Sequence, residues 1–192
     1  MKLHIYLFRH GQTTFNRDKK FTGWMDAKLT KLGIKQAQIV AKKLKNKKFQ
    51  IAYSSDLSRC KDTLNEVLKN HPECKLTIID KRLRERSYGK FQGMYHRQII
   101  AKYGKEMFDK WHRDYNFPPP KGESMKMVEK RVNSFMKDLL KTMKQQKVSV
   151  AISASGNSMR PIRKYFEKLS IQQMMKLENP WDNYFDYTIN VK

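Results

Sequence analysis

Leu3, Ile5, Leu7 and Phe8 form a short apolar run that reads as a strand and stops at Arg9-His10-Gly11. Thr30 can cap a helix running to about Lys45, with Leu32, Ala37, Val40, Ala41 and Leu44 spaced for one face. Phe49 to Tyr53 predicts a second strand, and Ser54-Ser55-Asp56 then opens a helix carrying Cys60, Leu64 and Leu68. Leu76 to Ile79 predicts a third strand. The segment from His96 to about Tyr115 is helical but less regular, and Pro118-Pro119-Pro120 breaks it. Glu123 to about Gln145 predicts a long amphipathic helix with Met127, Val132, Phe135 and Leu139 or Leu140 on its apolar side. Val148 to Ile152 is nearly all apolar, as a strand covered on both faces requires. A turn at Ser153 to Asn157 leads into a helix through Tyr165 and Phe166, and Tyr184 to Val191 can add a last strand. Strands alternating with helices predict an α/β fold: a three-layer sandwich with a mainly parallel central sheet and helices on both faces.

Composition narrows the class. The 192 residues fit one domain, and we expect a single unit over 1–192, without repeats, low-complexity tracts or a linker. Hydrophobic residues make up 39% of the chain, enough for a globular core. There is no run of about 18 apolar residues to span a membrane. The start, MKLHIYLFRHG, reads as a strand and not a signal peptide. Cys60 and Cys74 form neither a CxxC nor a Cys/His cluster, which argues against zinc or a disulfide framework and fits a reduced, cytoplasmic setting. The net charge of +23 would mark a nucleic-acid binder if it were clustered. It is spread over many helices, as at Lys42-Lys43, Lys45, Lys47-Lys48, Lys137 and Lys141. We therefore expect solvated helix faces, attraction of phosphorylated metabolites, and only non-specific nucleic-acid binding at low salt. Oligomeric state is left open, and a homo-oligomer is compatible with the sequence.

The candidate chemistry begins where the first strand ends, because open α/β sheets gather their chemistry at strand carboxyl ends. Arg beside His suits an anionic group, and the Gly after them permits close backbone approach to a ligand. A neutral imidazole nitrogen is a nucleophile for phosphorus, and Arg supplies a permanent planar charge for phosphoryl oxygens. Arg9-His10-Gly11-Gln12-Thr13, with Asn16 and Phe21-Thr22-Gly23-Trp24, is one such segment. Ser54 to Cys60, with Arg59 and Thr63, is a second; Arg82 to Arg86, continuing to Tyr88-Gly89 and Gln92-Gly93, is a third; Ser155 to Arg160 is a fourth. Each follows a predicted strand, so all can meet at one sheet edge. His4 and His71 stand outside any motif.

This pattern resembles the histidine phosphatase superfamily and, within it, the cofactor-dependent phosphoglycerate mutases, over nearly the whole chain. RHG with the following Asn is similar to the superfamily signature; FTGWMDAKLTKLG and RLRERSYGKFQG resemble the mutase branch more specifically. KYGKEMFDKWHRDYNFPPP resembles the mutase substrate cap, and GNSMR and LSIQQMMKLENP its C-terminal region. The resemblance implies a phosphoglycerate mutase-like fold with a small helical cap and a phosphohistidine mechanism without metal. His10 would carry the phosphoryl group while Arg9 and Arg59 bind its equatorial oxygens. Glu85 would exchange the proton of the leaving and incoming oxygens, and repulsion from bound phosphate would favour its protonated form. Asn16, Thr22, Gly23 and Tyr88 would contact phosphate or substrate, and Gly156 and Asn157 would offer amides at a helix start. The implied activity is interconversion of 3-phosphoglycerate and 2-phosphoglycerate, with 2,3-bisphosphoglycerate priming His10. The alternatives are a metal-independent phosphatase of a small phosphorylated metabolite and an impaired phosphate-binding protein. Glu123 in KGES is similar to the phosphatase branch and is also a natural first-turn residue of the long helix.

The chain departs from the family pattern at three places. The family's second histidine, directly before Gly-Asn-Ser, is Ser155 here. Loss of such a transition-state donor costs ~10²–10³ in rate. A lysine after the Gln-Gly segment is replaced by His96, and paired arginines after the cap tryptophan are replaced by His112 and Arg113. These positions hold the substrate's carboxylate and distal phosphate, which histidine does only when protonated. The stretch between Pro120 and Glu123 is also short, which opens the site to water and favours hydrolysis.

Overall fold

A five-stranded sheet buries both faces of its three inner strands and leaves its two edge strands partly exposed. The structure, a computed structural model, describes residues 1–191. The strands are β1 (Lys2–Arg9), β2 (Ile51–Ser54), β3 (Leu76–Ile79), β4 (Val150–Ala154) and β5 (Tyr184–Asn190). β1, β2, β3 and β4 run parallel, and β5 pairs antiparallel with β1. The parallel set brings every strand end that carries a candidate segment to the same edge. The spatial order is β3-β2-β4-β1-β5, and β4, two residues later than its apolar run places it, is buried throughout at the centre.

The helices are α1 (Thr14–Arg17), α2 (Lys31–Leu44), α3 (Ser58–Leu68), α4 (His96–Tyr103), α5 (Lys105–Arg113), α6 (Met125–Gln146), α7 (Gly156–Glu167) and α8 (Ile171–Met175). Ile5, Leu7, Tyr53 and Ile152 pack against α6 and α7 on one face; Tyr6, Phe8, Ala52 and Ala151 pack against α2 and α3 on the other. A third apolar group, Phe21, Phe91, Ile99, Phe108 and Trp111, joins α4 and α5 to the loops around the sheet edge as a cap.

Several boundaries and faces differ from the sequence expectation. The buried stripe of α2 is Gly33, Gln36, Ala37, Val40, Ala41 and Leu44; Leu32 points away from it and is 50% exposed. Met127 likewise falls off the α6 stripe of Val128, Val132, Phe135 and Leu139, and is 50% exposed. Both residues are apolar but lie about 100° around the helix from a buried neighbour. Phe49 is buried yet precedes β2, and Ser54 completes that strand, so α3 opens at Ser58 instead of Ser54. The irregular cap segment is two helices because Gly104 adopts φ +82°, a conformation that α-helix cannot include. Among the described residues, no helix is long and apolar enough to cross a membrane.

Candidate active site

Gly11 permits a close approach, but of protein to protein and not of backbone to ligand. A Cβ at Gly11 would lie 2.1 Å from the Gly33 carbonyl oxygen. The loop after β1 therefore lies directly on the first turn of α2. Its anchor points are the Gly11 amide, which donates to Thr63 Oγ1 at 3.1 Å, and the Gln12 amide, which donates to Gln36 Oε1 at 2.8 Å. Thr63 Oγ1 donates in turn to the Arg59 carbonyl at 2.9 Å, tying the first two segments together. The His10 amide donates to the Ala154 carbonyl at 3.1 Å, which sets this residue beside the end of β4.

His10 is 2% exposed, and its Nδ1 lies 2.8 Å from the Gly11 carbonyl. A carbonyl only accepts, so Nδ1 carries the proton and Nε2 keeps its lone pair. Burial, followed by the Arg59 and Arg9 guanidiniums, holds the imidazole pKa well below its ordinary value. The ring is therefore neutral at neutral pH, which is the nucleophilic form. Burial lowers the Arg9 pKa as well, with Glu85 opposing that shift, and a guanidinium still stays charged at neutral pH. Arg9 donates through Nη1 to the Asn179 carbonyl at 3.0 Å and lies 4.7 Å over the Trp181 ring. Its Nε is buried without a partner. Arg59, 1% exposed, donates to the Met25 and Gly23 carbonyls at 2.9 and 2.7 Å.

Glu85 reaches the same place from the loop after β3. Its Oε1 accepts the Arg86 amide at 2.7 Å and the Asn157 amide at 3.2 Å. The start of α7 thus already holds a carboxylate, as a helix N-terminus favours. Tyr88 Oη accepts from Asn157 Nδ2 at 3.3 Å, and burial first, with Glu85 adding to it, raises the phenol pKa so that it keeps its proton. Trp24 is more than a packing aromatic, since its Nε1 donates to the Glu85 carbonyl at 2.8 Å. Asn16 uses Oδ1 to cap α1 through Thr13.

Arg9, Asn16, Thr22, Gly23, Glu85, Tyr88, His96, His112, Arg113, Gly156 and Asn157 all line one cleft of about 1120 Å³. His10, Arg59 and Ser155 do not line it; they are 2%, 1% and 0% exposed and are buried behind it. Ser155 caps α7, its amide accepted by Ser158 Oγ at 3.2 Å, and its own hydroxyl lies 3.6 Å from Cys60 Sγ. The departure from the family pattern therefore places a short hydroxyl against a buried thiol. Burial raises the Cys60 pKa, which leaves that thiol unreactive. His4 pairs with Asp186 and His71 with Glu73, both away from the cleft. Among the described residues, no group of three or more His, Cys, Asp or Glu residues could hold a metal ion.

Supporting residues escaped the sequence reading because their partners are distant carbonyls. Arg86 is fully buried and donates to the carbonyls of Glu123, Trp111, His112 and Phe117 at 2.6, 2.7, 3.2 and 3.3 Å. It fastens the cap to the Glu85 loop. Arg86→Met should lower unfolding free energy by about 3 kcal/mol, since buried carbonyls lose charged donors. Urea denaturation checks this, and a loss under about 1 kcal/mol would show that water replaces the side chain. Arg131 grips Glu123 and donates to the Arg82, Arg84 and Glu85 carbonyls, so Glu123 braces that loop from behind. Asn179 joins Arg9 to α7, since its Nδ2 donates to the Gly156 carbonyl at 2.8 Å while its own carbonyl accepts from Arg9. The one sequence signal for it is the LENP stretch.

Comparison with known proteins agrees with this geometry. A family model described as "Histidine phosphatase superfamily (branch 1)" matches residues 5–187. A 2,3-bisphosphoglycerate-dependent phosphoglycerate mutase of Methanococcus vannielii is 36% identical, covering 92% of this chain and 86% of its own length. One from Allorhizobium ampelinum is 38% identical over 90% of this chain and 83% of its own. Among solved structures, a mycobacterial glucosyl-3-phosphoglycerate phosphatase superposes with a TM-score of 0.83 at 25% identity, covering 98% of this chain and 91% of that one. The chain is thus similar to mutases in sequence and to phosphatases and a mutase in shape, and the family model that matches nearly all of it assigns it: it is an enzyme of the histidine phosphatase superfamily, branch 1.

Proposed function

We propose that this chain transfers the phosphoryl group of a small phosphomonoester through phospho-His10. The observation that carries this reading is the Nδ1 contact with the Gly11 carbonyl, which leaves Nε2 as the free nucleophile between two guanidiniums. In the first step Nε2 attacks phosphorus in line, the N–P bond forms and the P–O bond to the alcohol breaks. Arg9 and Arg59 take up the charge on the equatorial oxygens. Glu85 gives the departing alkoxide its proton and then accepts one from the oxygen that attacks phospho-His10. Oε1 is held by two amides, so Oε2 is the atom for this exchange.

The final acceptor distinguishes two readings. Water as acceptor makes the chain a phosphatase, and this is the reading the cleft geometry supports best. The mutase reading rests on the names of the sequence relatives and requires 2,3-bisphosphoglycerate as primer. The phosphate-binding end fits such a molecule, with Arg9 Nε unpaired. The far end does not: where its second anionic group would lie stand the rings of His96 and His112, packed on aromatic residues. Incubation with 3-phosphoglycerate, quenched in acid, separates the two. Release of inorganic phosphate without 2-phosphoglycerate is the expected result; accumulation of 2-phosphoglycerate ahead of phosphate would sink the phosphatase reading.

A further inference from the structure

The inner wall of the cleft is built from rings. Phe21 lies 4.4 Å from the His96 ring and 5.5 Å from the His112 ring, centroid to centroid. The two imidazoles are 5.3 Å apart, and Phe108 packs on them at 5.3 and 5.2 Å. Phe21 and Phe108 are 2% and 6% exposed, so the imidazoles rest on a dry floor. Arg86 holds the His112 carbonyl, and Tyr88 continues the wall toward Glu85.

Among the described residues no carboxylate forms an ion pair with either ring, although Asp109, on the turn of α5 before His112, is close enough to feel its charge. Among the described residues, histidine–carboxylate pairs are made by His4 and His71. His112 Nδ1 is buried without a hydrogen-bond partner. Burial, reinforced by His96 and Arg113, pushes the His112 pKa down to about 4. Burial, reinforced by Lys19, lowers that of His96.

Lys19 and Arg113 are close enough to disfavour charge on the rings, and among the described residues no cation is hydrogen-bonded to either ring. Arg113 and Lys176 are exposed at the mouth, and the Lys20 ammonium lies 4.4 Å over the Tyr95 ring. Arg160 donates through both Nη atoms to the Met175 and Leu177 carbonyls. These charges draw anions toward the opening without forming a clamp at the wall. A second phosphate or carboxylate pressed against neutral rings would lose hydration and gain no ion pair. An alcohol or polyol would exchange water for neutral imidazole donors and acceptors and for aromatic faces.

We infer that the wall of Phe21, Tyr88, His96 and His112 selects phosphomonoesters with an uncharged leaving group over those carrying a second anionic group. This rests on the reading of Arg9 and His10 as the phosphoryl site. Glycerol 3-phosphate and 3-phosphoglycerate make the test pair, because they differ in a CH₂OH against a carboxylate. The dissociation constants of both are measured by calorimetry at pH 8 on the His10→Ala variant, and kcat/KM for phosphate release on the intact chain. We expect glycerol 3-phosphate to be favoured about tenfold in both, a difference of roughly 1.4 kcal/mol. The double variant His96→Lys with His112→Arg should reverse the order; if it fails to fold, His96→Lys alone should narrow the ratio. Equal or tighter binding of 3-phosphoglycerate by the His10→Ala chain overturns the inference, and so does a ratio that the lysine leaves unchanged. Turnover of neither ester, with the binding ratio intact, would instead defeat the phosphohistidine reading and leave the selectivity standing. Binding of neither ester defeats both.

Discussion

Replacing His10 by alanine should abolish the phosphoenzyme and lower turnover of any phosphomonoester by about 10³-fold or more, because no other group takes over a covalent step. The effect is large because the site spends its features on one atom. Nδ1 is committed to the Gly11 carbonyl, so Nε2 is the lone pair that remains. Intact-mass spectrometry after brief incubation with substrate reads the added phosphoryl group directly. Its survival in the His10→Ala chain would move the nucleophile elsewhere. The acid side of the pH profile gives a second check. Attack requires the neutral ring, and burial and the paired guanidiniums lower the His10 pKa, so the competent fraction persists as pH falls through the ordinary histidine range. A limb near 6.5 that vanishes with His10 would contradict the buried, neutral imidazole.

Ser155→His should raise kcat by roughly 10²-fold, restoring a transition-state hydrogen bond of the kind whose loss costs ~10²–10³. Ser155 is fully buried at the start of α7, directly after β4, and β4 neighbours the strand that ends at Arg9, one residue before His10. The resemblance implies that a histidine at this position would face the group on His10, whereas the serine hydroxyl lies 3.6 Å from Cys60 Sγ. An imidazole also accepts charge, which the hydroxyl does not. The gain should fall mainly on kcat, since a donor used in the transition state changes substrate binding little. An unchanged kcat in a folded Ser155→His chain would mean that this wall never meets the transferred group. The phosphate-binding reading would then gain ground.

Arg86 follows Glu85 in sequence and ties the α5 carbonyls to the loop that presents the carboxylate. A displacement of the cap would therefore move both the ring wall and Glu85. The Arg131–Glu123 pair braces the same loop from α6, so KGES serves as a support behind the site.

Much was legible from local pattern. The order of strands and helices, the helix cap at Thr30 and the candidate segments after each parallel strand follow from apolar periodicity and from the rule that strand carboxyl ends face one edge, while strand ends shift by up to two residues. Leu32 and Met127 were misplaced because hydrophobicity alone does not fix a residue's angle around a helix. The Gly11 approach to Gly33, the Asn179 bridge and the Arg86 cluster involve partners far away in sequence or unmarked main-chain carbonyls, and those leave no local trace.

The sequence by itself determined the layered α/β plan and the family, and it nominated His10, Arg9, Arg59, Glu85 and Ser155 as candidates, since these depend on residue type and order. The tertiary structure decided which imidazole nitrogen of His10 is free, what braces Glu85, and the character of His96 and His112. Read as letters, those two histidines are weakened cations; packed on Phe21 and Phe108 without an ion-pair partner among the described residues, they are neutral rings. Burial and neighbours set the charge of a histidine, and only the folded chain supplies both.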